Sequence, residues 1–261
     1  MKTFSTLTIL TLWTLRASAF TATNLGSFEG IEAPVLQYHV ANNSFTPGAS
    51  GNITDQGNHT VRMLLHYRAN DGWDADRDRH DTTRQRAEVK GLGPHQKTGE
   101  TFEYATTWRT DPAFRGSGRF CHIFQLKATD GDNGAPLVTL SILKGTNQAC
   151  VHYWPGGSKG FITVRNFAWS PGVWENVRIR ITTAIKPEGA ISVSVDGDAF
   201  QGVKDVAVYR PDATDYRPKW GLYRGTAKDM PFGDEYVEHK DASAKKMKAT
   251  VSVSGKCRGA S

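Results

Sequence analysis

The sequence predicts an all-β protein built as a two-sheet sandwich or jelly roll. Strand-like segments recur at a spacing of roughly 8–15 residues along most of the chain. The 26 glycines and the 10% share of aromatic residues suit strands joined by tight turns. No long helical periodicity and no internal repeat interrupts this pattern. One large all-β domain is therefore expected.

The predicted strands are separated by recognisable breaks. A charged, Asp-rich loop at residues 70–80 follows the first strand, and Asp-Gly-Asp-Asn-Gly at residues 130–134 predicts a hairpin turn. Asp-Gly at residues 196–197 predicts another turn. The strands themselves are expected at residues 61–67, 84–90, 101–109, 120–128, 136–143, 151–154, 160–167, 177–183, 190–195 and 218–224.

The two ends of the chain differ from this middle. Residues 1–19 resemble a secretory signal, with Lys2 followed by an apolar stretch and a small-residue cleavage site at residues 17–19. The domain is then expected over residues 20–241, in a secreted, extracellular protein. Residues 242–261 form a basic, polar tail that is predicted to be poorly ordered, with an edge strand at residues 249–253 as the alternative.

Three predicted strands carry polar side chains on one face, which is the wrong lining for a core. Residues i, i+2 and i+4 of a strand share a face. The segments Arg-Ala-Glu-Val-Lys from residue 86, Gln-Leu-Lys from residue 125 and Lys-Trp-Gly-Leu-Tyr from residue 219 all alternate in this way. If the three lie in one sheet, this face would line a groove suited to a polyanion. Its members are Arg86, Glu88, Lys90, Gln125, Lys127, Lys219 and Tyr223.

These motifs resemble the groove strands of jelly-roll polysaccharide lyases. In the alginate-lyase branch the strands read roughly Arg-x-Glu-x-Arg, Gln-x-His and Tyr-Phe-Lys-Ala-Gly-x-Tyr. The wider segments at residues 85–104, 120–127 and 216–225 look closer still to the fungal endo-β-1,4-glucuronan lyases of polysaccharide lyase family 20. The resemblance covers most of the chain up to about Asp241. It implies two antiparallel sheets with a concave substrate groove, and a secreted enzyme that cleaves β-1,4-glucuronan internally by β-elimination.

The same residue types fit the removal of a proton next to a carboxylate. Gln125 can donate amide hydrogens, and Arg86 a bidentate fork, to the carboxylate as charge develops. Tyr223 is expected to take the C5 proton and return it to O4, which lies on the same side of a β-1,4-linked glucuronate ring. The cations expected to stabilise the phenolate are Lys127, Lys219 and Arg224.

The remaining polar residues are expected to bind substrate or to orient their neighbours. Glu88 is interpreted as an orienting partner for Arg86 or Lys90 rather than as a catalytic acid. The predicted substrate-binding residues are Glu88, Lys90, Lys127, Lys219 and Arg224.

A catalytic histidine has no obvious place, since Lys127 stands where the alginate-lyase branch has a histidine. His80, in the charged loop ahead of the first groove strand, is the favoured candidate, and His66 is the alternative. By alternation His122 lies on the face opposite Gln125. It is therefore expected to be a packed, hydrogen-bonded core residue.

The sequence also contains candidate residues for a metal site, a disulfide bridge and N-glycans. Sandwiches of this type often hold a structural calcium, for which Glu29 and Asp234 are candidate ligands. The elimination itself should need no cofactor. Cys121 and Cys150 fit either a disulfide bridge or two buried thiols. Acceptor triplets for N-glycans begin at Asn42, Asn52 and Asn58.

Two other enzyme activities and one binding function compete with glucuronan cleavage. A lyase for another uronan, such as alginate, would use the same groove. A non-catalytic carbohydrate-binding module would use exposed tryptophans, for which Trp154, Trp169 and Trp174 are candidates. A glycoside hydrolase would need two opposed carboxylates, and Glu88 with Glu103 is not a convincing pair. The expected partner is polyglucuronate bound by a monomer, with no nucleic-acid or membrane partner.

Overall fold

The computed structural model describes residues 53–67, 73–74, 79–80, 83–91, 95–155, 160–225 and 233–248. The predicted secretory signal, Glu29 and Cys257 lie outside these residues, so what was expected of them stays a prediction. Within the described segments, no helix is long and apolar enough to cross a membrane.

The described residues form sixteen β-strands, and the all-β class is confirmed. The predicted strands are all present, with ends that differ by a few residues. Strands β1, β6, β14 and β16 were not predicted, and β3 and β4 lie within the segment expected to be a loop. The strands are β1 Ile53–Gly57, β2 Thr60–Tyr67, β3 Trp73–Asp74, β4 Arg79–His80, β5 Arg84–Lys90, β6 Gln96–Lys97, β7 Thr101–Thr110, β8 Cys121–Ala128, β9 Val138–Leu143, β10 Gln148–Tyr153, β11 Ile162–Ala168, β12 Glu175–Thr182, β13 Ala184–Val195, β14 Gln201–Val208, β15 Asp215–Gly225 and β16 Gly233–Lys246.

Two large antiparallel sheets make up the fold, as expected for a jelly roll. Sheet A has the strand order β1-β2-β16-β7-β12-β13-β14. Sheet B has the order β11-β10-β9-β8-β15-β5, and β6 also pairs with β15. The three strands predicted to share a groove face, β5, β8 and β15, are therefore neighbours in sheet B.

The core lies between the two sheets, and β7 shows how the sequence builds it. Its residues alternate between buried and half-buried positions, since every second side chain faces sheet B. The Tyr104 ring lies 5.5 Å from that of Phe124 in β8 and 6.3 Å from that of Trp220 in β15, measured between centroids. Burying side chains of this size stabilises the fold by about 2–3 kcal/mol each. Contacts of this kind hold sheet A against sheet B.

Strand β16 extends the domain past the predicted boundary at residue 241. Its register with β7 shifts just before Ser243, and Ala242 is fully buried beside the shift. Pairing then continues to Lys246. The basic segment that was assigned to the tail is thus part of sheet A as far as this residue. Residues 249–261, with the alternative edge strand, lie outside the described segments.

Strand β8 contains a bulge that alters its alternation. His122 pairs with Ser141 of β9, and Phe124 pairs with the adjacent Leu140, which leaves Ile123 as an extra residue. Ile123 and Phe124 are neighbours in sequence, yet both belong to the hydrophobic core. An extra residue in one strand reverses the in-out order of everything beyond it. The positions of β8 that face the core are therefore odd-numbered up to Ile123 and even-numbered after it.

Strand β15, which pairs with β8, is also irregular at this level of the sheet. Two of its residues, Gly221 and Leu222, stand opposite Ile123 alone. Gly221 has a φ of 150°, and a Cβ there would lie only 2.1 Å from the carbonyl oxygen of Ala87 on β5. Glycine is required at this point because the backbones of β15 and β5 approach too closely for a side chain.

Candidate active site

A cavity of about 180 Å³ opens on the face of sheet B that points away from the core. Strands β5, β8 and β15 supply its floor. The side chains of Phe120 and Phe161 and residues 134–136 add apolar walls. Its polar lining consists of Arg84, Arg86, His122, Gln125, Lys127, Lys219 and Tyr223.

Five of the predicted groove residues line this cavity together. Tyr223 is directly opposite Arg86 across the β15–β5 pair. Lys219 is directly opposite Gln125 across the β15–β8 pair, and Lys127 lines the cavity two residues further along β8. Directly opposed residues on one face have side chains in mutual reach, so the register explains why the polar groups converge.

Glu88 lies beneath these residues and is almost completely buried. Its Oε1 accepts a hydrogen bond from the amide nitrogen of Gln125, and its Oε2 lies 3.6 Å from the Nζ atom of Lys219. Buried charge is tolerated where it is paired and hydrogen-bonded. Glu88 is thus an orienting carboxylate, and the groups that it orients include Gln125 and Lys219, neither of which was predicted as its partner.

The phenol of Tyr223 is surrounded by cations and aromatic rings. Arg84 donates a hydrogen bond from Nη1 to the phenol oxygen at 3.1 Å. The guanidinium carbon of Arg86 lies 5.4 Å from the centre of the Tyr223 ring, and the Phe120 ring meets it edge-on at 4.9 Å. Arg84 was missed by the sequence analysis. Its position two residues before Arg86 is the signal that could have revealed it, because the same alternation places it on the groove face.

His122 lies in the cavity, which corrects the prediction that it packs in the core. Its ring centre is 6.0 Å from that of Tyr223 and 5.0 Å from that of Phe120. Its Nδ1 atom is hydrogen-bonded to the Ser141 hydroxyl at 2.8 Å. Simple alternation put it opposite Gln125, but the bulge at Ile123 reverses the order and brings both side chains to the groove face. The expectation of a hydrogen-bonded histidine is met.

Burial shifts the pKa values of two groups in the cavity. It lowers the pKa of His122 to about 3, with a smaller contribution from nearby His152, so the imidazole is neutral near pH 7. Burial is also the largest reason why the pKa of Lys127 falls to about 8, and the charge of Lys219 adds to the effect. Glu88 acts in the opposite direction and favours the charged lysine.

Arg224 is not in the groove, which corrects its prediction as a substrate-binding residue. It follows Tyr223 in a regular part of β15 and therefore faces the other way. Its side chain is fully buried and pairs with the carboxylate of Glu235. Two of its guanidinium nitrogens also donate to Oε1 of Gln85, at 3.3 and 3.2 Å. Arg224 stabilises the interior of the fold and does not reach substrate.

For the other predicted site residues, the structure describes only the position of the backbone. His80 belongs to the short strand β4 and pairs with Trp73, while His66 lies in β2 of sheet A, opposite Asp234. Lys90 is opposite Lys219 in the groove sheet. The side chains of His80, His66 and Lys90 lie outside the described structure, so their roles stay predictions.

The described residues give no support to a metal centre. They contain no group of three or more His, Cys, Asp or Glu side chains that could hold a metal ion. The calcium expected between Glu29 and Asp234 therefore stays a prediction.

Cys121 and Cys150 are both free and buried, and burial raises the pKa of each thiol to about 12. Asn58, which begins one of the glycan triplets, is exposed in the turn after β1.

The tryptophans proposed for a binding module each contact another side chain. Trp169 is buried, with its ring 5.7 Å from that of Trp108. The guanidinium of Arg109 lies 4.5 Å from the Trp174 ring, and that of Arg210 lies 4.0 Å from the Trp154 ring. Trp154 also lies beside the cavity, with its ring centre 6.0 Å from that of Phe161, and the groove on sheet B is the candidate site for a polysaccharide.

The paired carboxylates of a glycoside hydrolase are also missing from the described groove. Glu103 lies on β7 of sheet A, where Arg178 and Arg180 bind its two oxygens at 2.8 and 2.7 Å. Glu88 belongs to sheet B and is buried beneath the cavity. The two carboxyl groups therefore cannot flank one glycosidic bond.

The described groove of this all-β sandwich is lined by cations, an amide and a phenol, a lining suited to an anionic chain. The model of the polysaccharide lyase family matches residues 37–241. The chain belongs to this family, and the jelly-roll lyase resemblance is confirmed. A search of the curated proteins found no match.

Solved structures with the same fold include lyases for two different uronans. The endo-β-1,4-glucuronan lyase from the fungus Trichoderma reesei has a TM-score of 0.58 and 18% identity, covering 85% of this chain and 92% of that chain. A variant of a family 7 alginate lyase with bound product gives 0.59 and 17%, covering 81% and 94%. An alginate lyase from Pseudomonas aeruginosa gives 0.55 and 16%, covering 82% and 98%. Similarity at this level of identity demonstrates the shared fold.

Proposed function

We propose that this protein is a secreted, endo-acting lyase that cleaves β-1,4-linked glucuronan by β-elimination. The observation that carries the proposal is the position of the Tyr223 phenol. It is hydrogen-bonded to Arg84 and lies in the same cavity as Gln125, Arg86 and Lys219. A groove that only binds a polyanion needs cations, but it does not need a phenol held among them.

The chemistry begins with the carboxylate attached to C5 of the sugar. We expect its oxygens to accept hydrogen bonds from Gln125, Arg86 and Lys219. These donors would stabilise the negative charge that develops when the C5 proton leaves. Glu88 supports this step by holding the amide of Gln125 and the ammonium of Lys219 in place. Removal of the proton is then easier because the charge is spread over a neutralised carboxylate.

The elimination itself is assigned to Tyr223. Its phenolate takes the proton from C5, the C–H electron pair forms the C4=C5 double bond, and the C4–O4 bond breaks. The phenol then returns its proton to O4, which lies on the same side of the ring in a β-1,4-linked glucuronate. Arg84 favours this role because its guanidinium donates a charge-assisted hydrogen bond, at 3.1 Å, to the phenol oxygen that accepts the proton.

His122 supports the reaction without serving as the base. A group with a pKa of about 3 holds a proton too weakly to remove one efficiently near neutral pH. Its bond to Ser141 and its position beside Tyr223 instead suit a neutral ring that orients the phenol or contacts the sugar.

We expect His122→Ala to lower kcat/KM by about tenfold to a hundredfold. It should also reduce thermal stability, because the Ser141 hydroxyl loses a buried partner. Initial rates and Tm are measured together. A variant with a lower Tm but unchanged kinetics would return His122 to the purely structural role that its alternation first indicated.

Lys127 is expected to control the activity at alkaline pH. Since its pKa is about 8, its positive charge is lost as the pH rises through this value, and attraction to the substrate carboxylates weakens. We therefore expect kcat/KM to fall on the alkaline side with an apparent pKa of about 8. Lys127→Arg should remove this decline, because arginine stays charged. If kcat/KM of the arginine variant still falls at alkaline pH, a group other than Lys127 causes the decline.

The choice of uronan rests on the resemblance of the motifs to fungal glucuronan lyases, supported by the fold shared with one of them. Alginate is the second candidate, because alginate lyases share the fold equally well. The test compares initial rates of double-bond formation on glucuronan, polymannuronate, polyguluronate and a neutral β-glucan. Glucuronan should be cleaved fastest. Faster cleavage of an alginate block would overturn the choice of uronan but leave the lyase assignment intact.

A further inference from the structure

The outer face of sheet A, on the opposite side of the sandwich from Tyr223, carries two arginine clusters. The first cluster joins three strands, because Glu238 of β16 is directly opposite both Arg62 of β2 and Arg109 of β7. Its Oε1 accepts hydrogen bonds from Nε and Nη2 of Arg62, at 2.9 and 2.6 Å. Its Oε2 accepts one from Nε of Arg109, at 2.6 Å. One carboxylate therefore holds two guanidinium groups.

The second cluster is built in the same way around Glu103. This residue is six positions before Arg109 in β7, a separation of about 20 Å along the strand. Arg178 and Arg180 of β12 donate to its two oxygens, at 2.8 and 2.7 Å. Lys245 of β16 is directly opposite Glu103 on the other side, which brings its side chain within reach. Here three cations share one carboxylate.

Both clusters present positive charge to solvent. The side chains of Glu238 and Glu103 are only 2% and 12% exposed, whereas those of the four arginines are between 34% and 40% exposed. A single carboxylate balances one cation, so each cluster keeps an excess of positive charge. Strand β16 also carries Asp234 and Asp241, outside both clusters. Neighbouring like charges destabilise a sheet, and an anionic partner would offset this cost.

The arginines are also held in place before any partner arrives. Three of them have an aromatic ring centre within 4.5 Å of the guanidinium carbon, namely Arg62 with Tyr236 (4.0 Å), Arg109 with Trp174 (4.5 Å) and Arg180 with Phe200 (3.8 Å). Arg109 and Arg180 use Nε for their bonds to glutamate. Those bonds leave the fork of terminal nitrogens, which can bind a second carboxylate. Side chains that are already ordered lose less entropy on binding.

We infer that this face of sheet A is a second binding surface for an anionic polysaccharide, separate from the catalytic groove. The identity of the chain rests on the proposed function, which makes it the uronan polymer that the groove cleaves. An extended polyanion can reach two clusters about 20 Å apart, whereas a small anion reaches one. Another part of the polymer then enters the groove at a raised effective concentration. A membrane fits less well, because none of the large apolar side chains exposed in the described structure lies in β2, β7, β12 or β16.

The experiment uses Arg62→Gln/Arg180→Gln, which removes one arginine from each cluster and leaves the other to balance the carboxylate. The matched control is Lys97→Gln/Arg115→Gln, which removes two exposed cations outside the clusters and the catalytic cavity. Activity is measured on polymeric glucuronan and on a tetrasaccharide that is too short to occupy the groove and sheet A at once. We expect kcat/KM of the cluster variant to fall about fivefold or more on the polymer and to stay unchanged on the tetrasaccharide. The control should change neither.

Binding without cleavage provides the second measurement. Each pair of substitutions is placed in Tyr223→Phe protein, and migration is compared in gels that contain polymeric glucuronan or a neutral β-glucan. Glucuronan should retard the cluster variant less than the control, and the neutral glucan should retard neither. Binding to phosphatidylserine vesicles is measured in parallel. A cluster variant that loses vesicle binding but keeps glucuronan binding would assign the face to a lipid surface and overturn the proposal.

The two measurements also separate this surface from the proposed function. If the unaltered enzyme cleaves glucuronan but the cluster variant binds and cleaves the polymer like the control, the surface is refuted and the function stands. An equal loss on polymer and tetrasaccharide would likewise refute it, because the defect would then lie in the fold or the groove. If the unaltered enzyme cleaves no uronan, the proposed function is refuted, and the gel comparison still decides whether sheet A binds the polymer.

Discussion

Replacing Tyr223 with phenylalanine is expected to lower kcat by a factor of about 100 or more. The change removes the hydroxyl that Arg84 contacts at 3.1 Å and keeps the ring that packs edge-on against Phe120. Fold and substrate affinity should therefore survive, and the loss should appear in turnover. Kinetics at saturating glucuronan, calorimetric binding and Tm together distinguish these effects.

Tyr209→Phe is the matched control, since it removes a hydroxyl from a half-buried tyrosine outside the cavity. Its kinetics should match those of the unaltered enzyme. Near-normal turnover in a well-folded Tyr223→Phe protein would exclude this phenol as the base. Lys127 would then be the next candidate within the cavity, because its lowered pKa leaves part of it neutral at mildly alkaline pH.

Replacing Gln125 with alanine should be nearly as damaging, with kcat/KM reduced about a hundredfold. The variant loses the amide that donates to the substrate carboxylate. It also takes a hydrogen-bond partner from buried Glu88, which should cost about 1–3 kcal/mol of stability. Steady-state kinetics are measured well below the Tm of the variant, so that only folded protein contributes.

Gln148→Ala is the control for this change, because it removes an exposed amide at the start of β10. It should leave both activity and Tm unchanged. If Gln125→Ala loses stability but keeps its activity, the amide serves only to satisfy Glu88. Neutralisation of the carboxylate would then fall to Arg86 and Lys219.

The sequence predicted the groove correctly wherever strand pairing is regular. Strands β5 and β15 pair without a shift from Lys219 to Gly225, so simple alternation placed Arg86, Lys219 and Tyr223 on one face. The same reasoning would have found Arg84 and would have excluded Arg224. For these two residues the alternation in the sequence is therefore sufficient.

Other features depend on contacts that a single sequence does not reveal. The position of His122 depends on the bulge at Ile123, and a bulge arises from how two or three strands fit together rather than from local residue types. Strand β14 is largely exposed and shows no clear alternation, so its pattern resembles a loop. The end of strand β16 was missed because its small and basic residues look like a tail, although Ala242 is buried and pairing with β7 continues to Lys246.

The central claim is that the enzyme breaks a uronan by elimination, and the masses of its products test this claim most directly. A glucuronan oligosaccharide of defined length is digested, and each pair of fragments is weighed by mass spectrometry. Elimination predicts that the two fragment masses add up to that of the parent, with a C4=C5 double bond at the new non-reducing end. Fragments that together exceed the parent by one water would mean hydrolysis and would contradict the account.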